Sequence, residues 1–177
     1  MDKGFQNIDL VIPELLKDFE IIQNSVTTTE LAINAFAESF QKRLNLYSVI
    51  ASQVNGDWLI FSSVFSSDKT LYENLTKYPP RPRKISSDLV LSRLVTDGQI
   101  LISSLKSQKD YAPIFMETAS NIWLPLKREM TVIGIIQLGS ERIIETKKLN
   151  NTENAKSFRI PYEKLLEKIS QVLEKEF

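Results

Sequence analysis

The chain has 177 residues, 22 basic and 22 acidic, and contains neither cysteine nor histidine. This length fits one domain, or one domain with an arm, and allows a hydrophobic core without disulfides. The missing residue types exclude thiolate metal sites, a thiol nucleophile, thioether attachment of a chromophore, histidine ligation of haem and every Ser-His or Cys-His catalytic arrangement. The balanced charge indicates neither nucleic-acid binding nor binding to a membrane surface.

The protein is predicted to be cytoplasmic, because its amino-terminal segment has no signal-peptide pattern and the chain has no membrane-length apolar run. Pro13 suits the first position of a helix that continues to Ser25. The sequence TTTE, Thr27 to Glu30, matches a capping box ahead of apolar residues at helical spacing. The predicted units are a helical arm (1–26) and a domain (27–177) whose first helix covers 28–44.

The next segment changes to the period of a β-hairpin. Val, Ile, Tyr and Phe dominate around Asn55-Gly56-Asp57, a tight-turn signal between strands predicted near 46–53 and 58–65. A short helix is expected near Leu71–Tyr78. The string PPRPRK, residues 79–84, favours an extended polyproline conformation and is either a stiff surface connector or a ligand for an SH3-type domain.

A further helix is predicted after this string, capped by Ser86 or Ser87 and stopped by Gly98. The residues QILIS, 99–103, are predicted to form a strand, and residues 104–120 a polar loop. Together these signals indicate a helix–strand–loop segment between the two hairpins.

The second hairpin lies in NIWLPLKREMTVIGIIQLGS, residues 121–140. Its strands are predicted near 121–126 and 131–139, joined by a charged turn over 127–130. The second strand is apolar at both alternating sets of positions, whereas a one-sided sheet would show a polar residue at every second position. Both faces of the sheet are therefore expected to be covered.

The last segment is predicted to end in a helix that starts at Pro161. Residues 141–160 lack clean periodicity, with a tip at NNTEN and an optional strand extension in RIIETKKL. Helices from both chain ends can pack on one face of an antiparallel sheet, while a short helix and loops cover the other. We therefore predict an α+β, three-layer α/β/α domain.

This ordered set of features resembles the GAF domain family over roughly residues 27–176. The similar segments are SVIASQVNGDWLIFSSV, SRLVTDGQILISS and NIWLPLKREMTVIGIIQLGS. The resemblance implies that the second hairpin forms the centre of the sheet, with a roofed cavity on the face away from the terminal helices. Members of the family bind cyclic nucleotides, bilins, haem or small metabolites, or act only as dimerising signal relays.

Several of the family's functions do not carry over to this sequence. No cysteine can anchor a bilin, no histidine can ligate haem, and the residue set of cyclic-nucleotide-binding members is not found. The free methionine sulfoxide reductases of this fold need cysteines. Asp97 and Asp110, the carboxylates near the expected roof, show no sign of an acid/base pair. We therefore predict no catalytic residue, no metal, no cofactor and no enzyme.

The candidates for a ligand pocket are aromatic and apolar residues near the sheet and its roof, with Ser62, Ser63 or Tyr111 as polar anchors. The alternative is that they form ordinary core. Other aromatic candidates are Trp58 and Phe61. Four basic residues could bind an anionic metabolite or, as the favoured interpretation, form solvated surface: Arg93, Lys106, Lys127 and Arg128. The predicted ligand-binding residues are Ser63, Phe65, Tyr72, Leu91, Leu94, Tyr111 and Trp123.

The last helix carries an apolar stripe with near-heptad spacing over about two heptads. We expect part of this stripe to pack on the chain's own sheet and part to meet a second copy, as terminal helices of the family often do. The stripe consists of Tyr162, Leu165, Leu166, Ile169, Val172 and Leu173. The predicted dimer-interface residues are Phe36, Phe40, Leu166, Ile169 and Leu173.

Two functions are left open. The first is a sensory domain that binds a small molecule non-covalently and signals through its terminal helices to an unknown partner protein. The second is a dimerisation or protein-interaction module with a filled core. A cavity of a few hundred Å³ above the sheet would favour the first function, and a sealed, dry interior the second.

Overall fold

The computed structural model describes Phe5 and residues 8–104, 118–141 and 152–175. The elements of this part of the chain are α1 (Ile8–Ser25), α2 (Thr29–Leu44), β1 (Ser48–Asn55), β2 (Trp58–Ser66), α3 (Lys69–Lys77), β3 (Arg83–Lys84), a 3₁₀ turn (Ile85–Ser87), α4 (Leu89–Asp97), β4 (Leu101–Ser104), β5 (Ser120–Arg128), β6 (Thr131–Ser140) and α5 (Thr152–Leu173).

The six strands form one antiparallel sheet with the order β3-β2-β1-β6-β5-β4. The β5–β6 hairpin therefore lies inside the sheet, as the resemblance to the GAF family implies. Every residue of β6 from Gly134 to Ser140 is buried, which confirms that both faces of this strand are covered. The first hairpin turns at Gly56, whose φ of 56° suits glycine.

The larger core lies between one face of the sheet and the helices α1, α2 and α5. Phe19 of α1 makes edge-on contacts with Phe36 and Phe40 of α2, at ring-centre distances of 4.9 and 5.9 Å. Burying a side chain of this size stabilises the fold by about 1.5–3 kcal/mol. The predicted arm of residues 1–26 thus contributes α1 to the same core as the rest of the chain.

The opposite face, called the roof face below, is covered by α3 and α4. Leu75 of α3 packs with Ile50 and Val64, while Leu91 and Leu94 of α4 pack in a second apolar cluster over the sheet. Helices on both sides of an antiparallel sheet confirm the predicted three-layer α+β architecture. In the described residues, no helix is both long and apolar enough to span a membrane.

Two helix starts differ from the sequence prediction, because proline does not mark them. The helix α1 begins five residues before Pro13, at Ile8, and α5 begins nine residues before Pro161, at Thr152. Proline inside a helix removes a backbone hydrogen bond. Here tertiary burial offsets that loss: Ile8 is buried in the main core, and Phe158 packs against it upstream of Pro161.

Two helix caps also lie next to the residues that the sequence indicates. Thr28, rather than Thr27, caps α2 by accepting a hydrogen bond from the Leu31 N–H. Asp88, rather than Ser86 or Ser87, caps α4. The Asp88 carboxylate accepts hydrogen bonds from two N–H groups, those of Val90 and Leu91, and its negative charge is stabilised by the positive end of the helix dipole. Ser86 and Ser87 lie in the preceding 3₁₀ turn.

Candidate functional site

The predicted ligand-binding residues separate into two places. Ser63, Phe65 and Tyr72 line a groove at the outer edge of β2. Leu91, Leu94 and Trp123 pack together in the apolar cluster of the roof face. Tyr111, Lys106 and Asp110 lie outside the described residues.

A polar cluster lies beside Trp123 on the roof face, and the strand register brings it together. Ser103 of β4 pairs with Asn121 of β5, Asn121 pairs with Gly139 of β6, and Gly139 pairs with Ser48 of β1. Gln137 lies two residues before Gly139 and pairs with Trp123. Because side chains two residues apart share a face, these residues lie on the face of Trp123. We call Ser48, Ser103, Asn121 and Gln137 the roof cluster.

The roof cluster is buried and only partly hydrogen-bonded. Gln137 Nε2 donates to Asn121 Oδ1 at 2.8 Å, and Thr118 Oγ1 donates to the same oxygen at 3.0 Å. Within the described residues, four buried atoms of the cluster have no hydrogen-bond partner: Ser48 Oγ, Ser103 Oγ, Asn121 Nδ2 and Gln137 Oε1. The exposed fractions of these four residues are only 1%, 9%, 0% and 2%.

Unpartnered buried polar atoms are costly, at about 1–3 kcal/mol each. Several of them on one sheet face are therefore unusual in a folded protein. Together they present hydroxyl groups, an amide N–H and an amide oxygen, and no charged group. The chemistry of the roof cluster thus matches a neutral molecule that carries both hydrogen-bond donors and acceptors.

Gly139 allows the polar side chains to approach one another. A Cβ at this position would lie 2.4 Å from Ser48 Oγ, 2.7 Å from Thr118 Cγ2 and 3.4 Å from Asn121 Oδ1. Any larger residue would therefore displace the hydroxyl of Ser48 or the side chain of Thr118. Sequence reasoning missed these residues, although the "VIGIIQLG" pattern carried two signals: a lone Gln on an otherwise apolar face, and a glycine inside a strand.

The second place is a groove of about 630 Å³ along β2. Six consecutive β2 residues, Ile60 to Phe65, line one side of it, and Tyr72, Thr76 and the prolines at 79, 80 and 82 line the other. Consecutive strand residues point to opposite faces, so a groove that touches all six runs along the strand edge. The proline string is thus a connector, as one of its two interpretations predicts, and it also forms a wall.

The proposed polar anchors on β2 have partners inside the chain. The hydroxyls of Ser62 and Ser63 each donate to Asn34 Oδ1 of α2 at 2.8 Å. A register shift between β1 and β2 at this point leaves Ser62 as an extra residue. These hydroxyls therefore attach β2 to α2. Trp58, another aromatic candidate, is 46% exposed at the start of the strand.

The basic candidates have different surroundings. Arg93 is exposed, and Lys127 lines a cavity of about 270 Å³ together with Glu163 and Glu167. Arg128 donates from Nε to the Leu173 carbonyl at 2.8 Å and from Nη2 to Thr29 Oγ1 at 2.6 Å. Arg128 is therefore half-buried and connects the carboxyl end of α5 to the amino end of α2, instead of being solvated surface.

The residues predicted for a dimer interface lie mostly inside the chain. Phe36, Phe40, Ile169 and Leu173 are each 0% exposed, so their assignment to a contact with a second copy is corrected: they are core residues of a single chain. Helical periodicity identifies an apolar face but does not distinguish an internal from an external partner. Leu166 alone of this set is partly exposed. Dimerisation itself stays a prediction.

Four clear pKa shifts occur in the described residues, all outside the roof cluster, and one of them is the raised pKa of Arg43, which hydrogen-bonds Asp18. Hydrogen bonds from Arg43 at 2.7 and 2.8 Å lower the pKa of Asp18 and join α2 to α1. Hydrogen bonds from Ser86 lower the pKa of Asp57. Burial raises the pKa of Tyr162. Asp97 is exposed at the end of α4.

Comparison with known proteins shows the fold. No family model matches the chain, and no curated protein matches it significantly. Among solved structures, the free methionine-R-sulfoxide reductase from Neisseria meningitidis, in complex with its substrate, has a TM-score of 0.68 at 14% identity, covering 94% of this chain and 90% of that one. The A. aeolicus nlh2 GAF domain in an inactive state has a TM-score of 0.66 at 14% identity, covering 94% and 98%.

The phycoerythrobilin-bound GAF domain from a cyanobacterial phytochrome has a TM-score of 0.61 at 11% identity, covering 93% of this chain and 97% of that one. The likeness extends over nearly the whole chain in each case. The protein therefore has the fold of a GAF domain, and the resemblance seen in the sequence is confirmed at the level of the fold.

The prediction that the chain is not an enzyme is wrong as it stands. Several of the similar structures are free methionine-R-sulfoxide reductases, so enzymes are built on this fold and the fold gives no ground for excluding one. The prediction assumed that the absence of histidine and cysteine excludes every kind of enzyme. Those absences restrict which groups could react, because a thiolate is not available.

Proposed function

We propose that this GAF-like domain is a regulatory domain that binds a small, neutral polar molecule non-covalently at the roof cluster. The observation that carries the proposal is a set of four buried polar atoms, on the face opposite the terminal helices, that have no partner in the described part of the chain. A ligand that supplies both donors and acceptors would satisfy these atoms and remove their desolvation cost. An amide, a urea or the edge of a nucleobase has this chemistry.

The β5–β6 hairpin would connect the ligand to the terminal helices. Asn121 and Gln137 lie near one end of the hairpin, and Arg128 lies at the other, about 20 Å away for a strand of this length. Arg128 contacts both α2 and α5. A small displacement of β5 or β6 on binding would therefore change how these helices are held.

The output of the domain, in this proposal, passes through α2 and α5 to a partner protein in the cytoplasm. The energy for the signal would come from a difference in ligand affinity between two arrangements of the helices. A second copy of the chain is one candidate for that partner. The described apolar side chains of α5 are largely used inside the chain, so such a contact would centre on partly exposed residues such as Leu166.

The test begins with native mass spectrometry of protein purified from its native cells, followed by a thermal-shift screen of neutral amides, ureas and nucleobases. Free methionine sulfoxide is included in the screen because one of the similar structures is a free methionine-R-sulfoxide reductase. Both its binding and its consumption are measured. We expect a retained molecule or a stabilising compound. If the protein retains no molecule and no compound stabilises it, the proposal is refuted.

Variants locate the binding site of any compound found. Gln137→Leu removes both amide atoms and should weaken binding at least tenfold, which corresponds to about 1.4 kcal/mol for a lost buried hydrogen bond. Ser62→Ala is the matched control, because its hydroxyl contacts α2 instead of the roof cluster. Equal affinity for Gln137→Leu and the unchanged protein would place the ligand elsewhere and contradict the assignment.

A further inference from the structure

The outer edge of β2 is largely unpaired. The strand spans Trp58–Ser66, but β3 pairs only with Trp58 and Leu59. In the part of the chain that the structure describes, no strand lies beside residues 60–66 on that side. Backbone N–H and C=O groups on an open edge can accept a further strand.

A groove separates this edge from its neighbours in the fold. The groove, about 630 Å³ in volume, lies between Ile60–Phe65 of β2 and a wall formed by α3 and the proline string. Proline has no N–H and cannot complete a ladder with the strand. The string thus leaves room beside the edge, and six strand residues span about 20 Å, the length of a short extended peptide.

Partly exposed apolar side chains line the groove, and the segment that forms its wall also carries basic residues, which are not among the described lining residues. Ile60 is 37% exposed and Tyr72 is 44% exposed, which offers apolar contacts to alternate side chains of an added strand. Residues 69–84 contain five basic residues and one acidic residue. These basic residues are Lys69, Lys77, Arg81, Arg83 and Lys84.

Only two of these basic residues form ion pairs with acidic side chains in the described residues. Lys69 pairs with Glu73 at 3.7 Å, and Arg83 pairs with Asp88 at 2.5 Å. The remaining charge favours an acidic occupant. A second copy joined edge to edge would bring like charges together, so the charge disfavours a dimer at this edge.

We propose that this groove is a docking site for an extended, acidic segment of a partner protein, which adds to the sheet as a strand beside β2. Backbone hydrogen bonds to the edge would supply affinity, and the apolar rim and basic residues would select the sequence. This site is separate from the roof cluster and does not depend on the function proposed above. It would give the domain a contact for its partner at the edge of the sheet.

The test is selection of a displayed library of random peptides on the full chain, with Thr76→Trp as the counter-selection target. Thr76 is exposed on α3 and lines the groove, so a tryptophan there would fill it without disturbing the core. We expect acidic, proline-poor peptides that bind the unchanged chain at least tenfold more tightly than Thr76→Trp. The proposal is overturned if no peptide is enriched, or if the enriched peptides bind Thr76→Trp as tightly as the unchanged chain.

A second measurement checks the binding mode. Hydrogen exchange should slow at the amides of residues 60–65 when a selected peptide binds, and affinity should fall as salt rises. Lys77→Glu with Lys84→Glu should weaken binding at least tenfold, whereas the control Lys164→Glu, an exposed change on α5, should not. The docking proposal is overturned if the peptide protects other amides instead, or if Lys164→Glu weakens binding as much as the double change. It is also overturned if self-association protects these amides when no peptide is present.

Discussion

Arg128 provides the sharpest test of how the terminal helices are held. Its guanidinium donates to the last carbonyl of α5, at Leu173, and to Thr29 at the start of α2. Hydrogen bonds from a charged donor contribute about 1.5–3 kcal/mol each when buried, and partial exposure lowers this. Arg128→Met should therefore reduce the free energy of unfolding by about 2–4 kcal/mol, because it also leaves the Leu173 carbonyl without this donor.

For a chain of this size, a loss of 1 kcal/mol lowers Tm by about 2–4 °C, so Arg128→Met should lower Tm by roughly 4–16 °C. Urea unfolding and calorimetry measure the two quantities. Lys127→Met is the matched control: the substitution removes the same charge from a residue that is also half-buried, and the Lys127 side chain makes no hydrogen bond or ion pair within the described residues. Thr29→Val should show a coupling of about 1 kcal/mol with Arg128→Met. Equal losses for Arg128→Met and Lys127→Met would refute the connection of the two helix ends.

Three further changes test other contacts. Gly139→Ala should lower the free energy of unfolding by about 1–3 kcal/mol by overpacking, and Ser48→Ala should recover part of this loss; no recovery in urea unfolding would contradict the close approach. Asp18→Asn should cost about 1 kcal/mol at pH 7. Arg43 lowers the folded-state pKa of Asp18 from its ordinary 3.8. The stability difference between the variant and the unchanged protein should therefore persist above pH 3.8 and vanish as pH falls through the lowered pKa. A difference that stays the same in acid would exclude the Asp18–Arg43 pair as its cause. Asp88→Ala should cost about 1–2 kcal/mol in thermal unfolding, because the α4 cap and an ion pair are lost together; a loss within a few tenths would show that the cap is dispensable.

Sequence reasoning located the strands and helices because their signals are local. The Asn55-Gly56-Asp57 turn and the two-sided apolar pattern of β6 each depend on neighbouring residues along the chain. Helix starts were less predictable, since Ile8 at the start of α1 is held by burial in a core that includes distant residues such as Tyr162 of α5. The edge groove could not be foreseen, because proline composition indicates stiffness and does not indicate what the segment faces.

The roof cluster shows most clearly which features can be predicted from the sequence and which depend on the tertiary structure. By itself, the sequence determined that β6 is covered on both faces and that Gln137 is a polar exception on one of them. Only the tertiary structure decided that Ser48, Ser103, Asn121 and Gln137 meet. They come from four strands, and strand order and register decide which distant residues lie side by side. Periodicity describes a single strand and contains no information about its neighbours, so a site assembled across the sheet becomes visible only when the strands are paired.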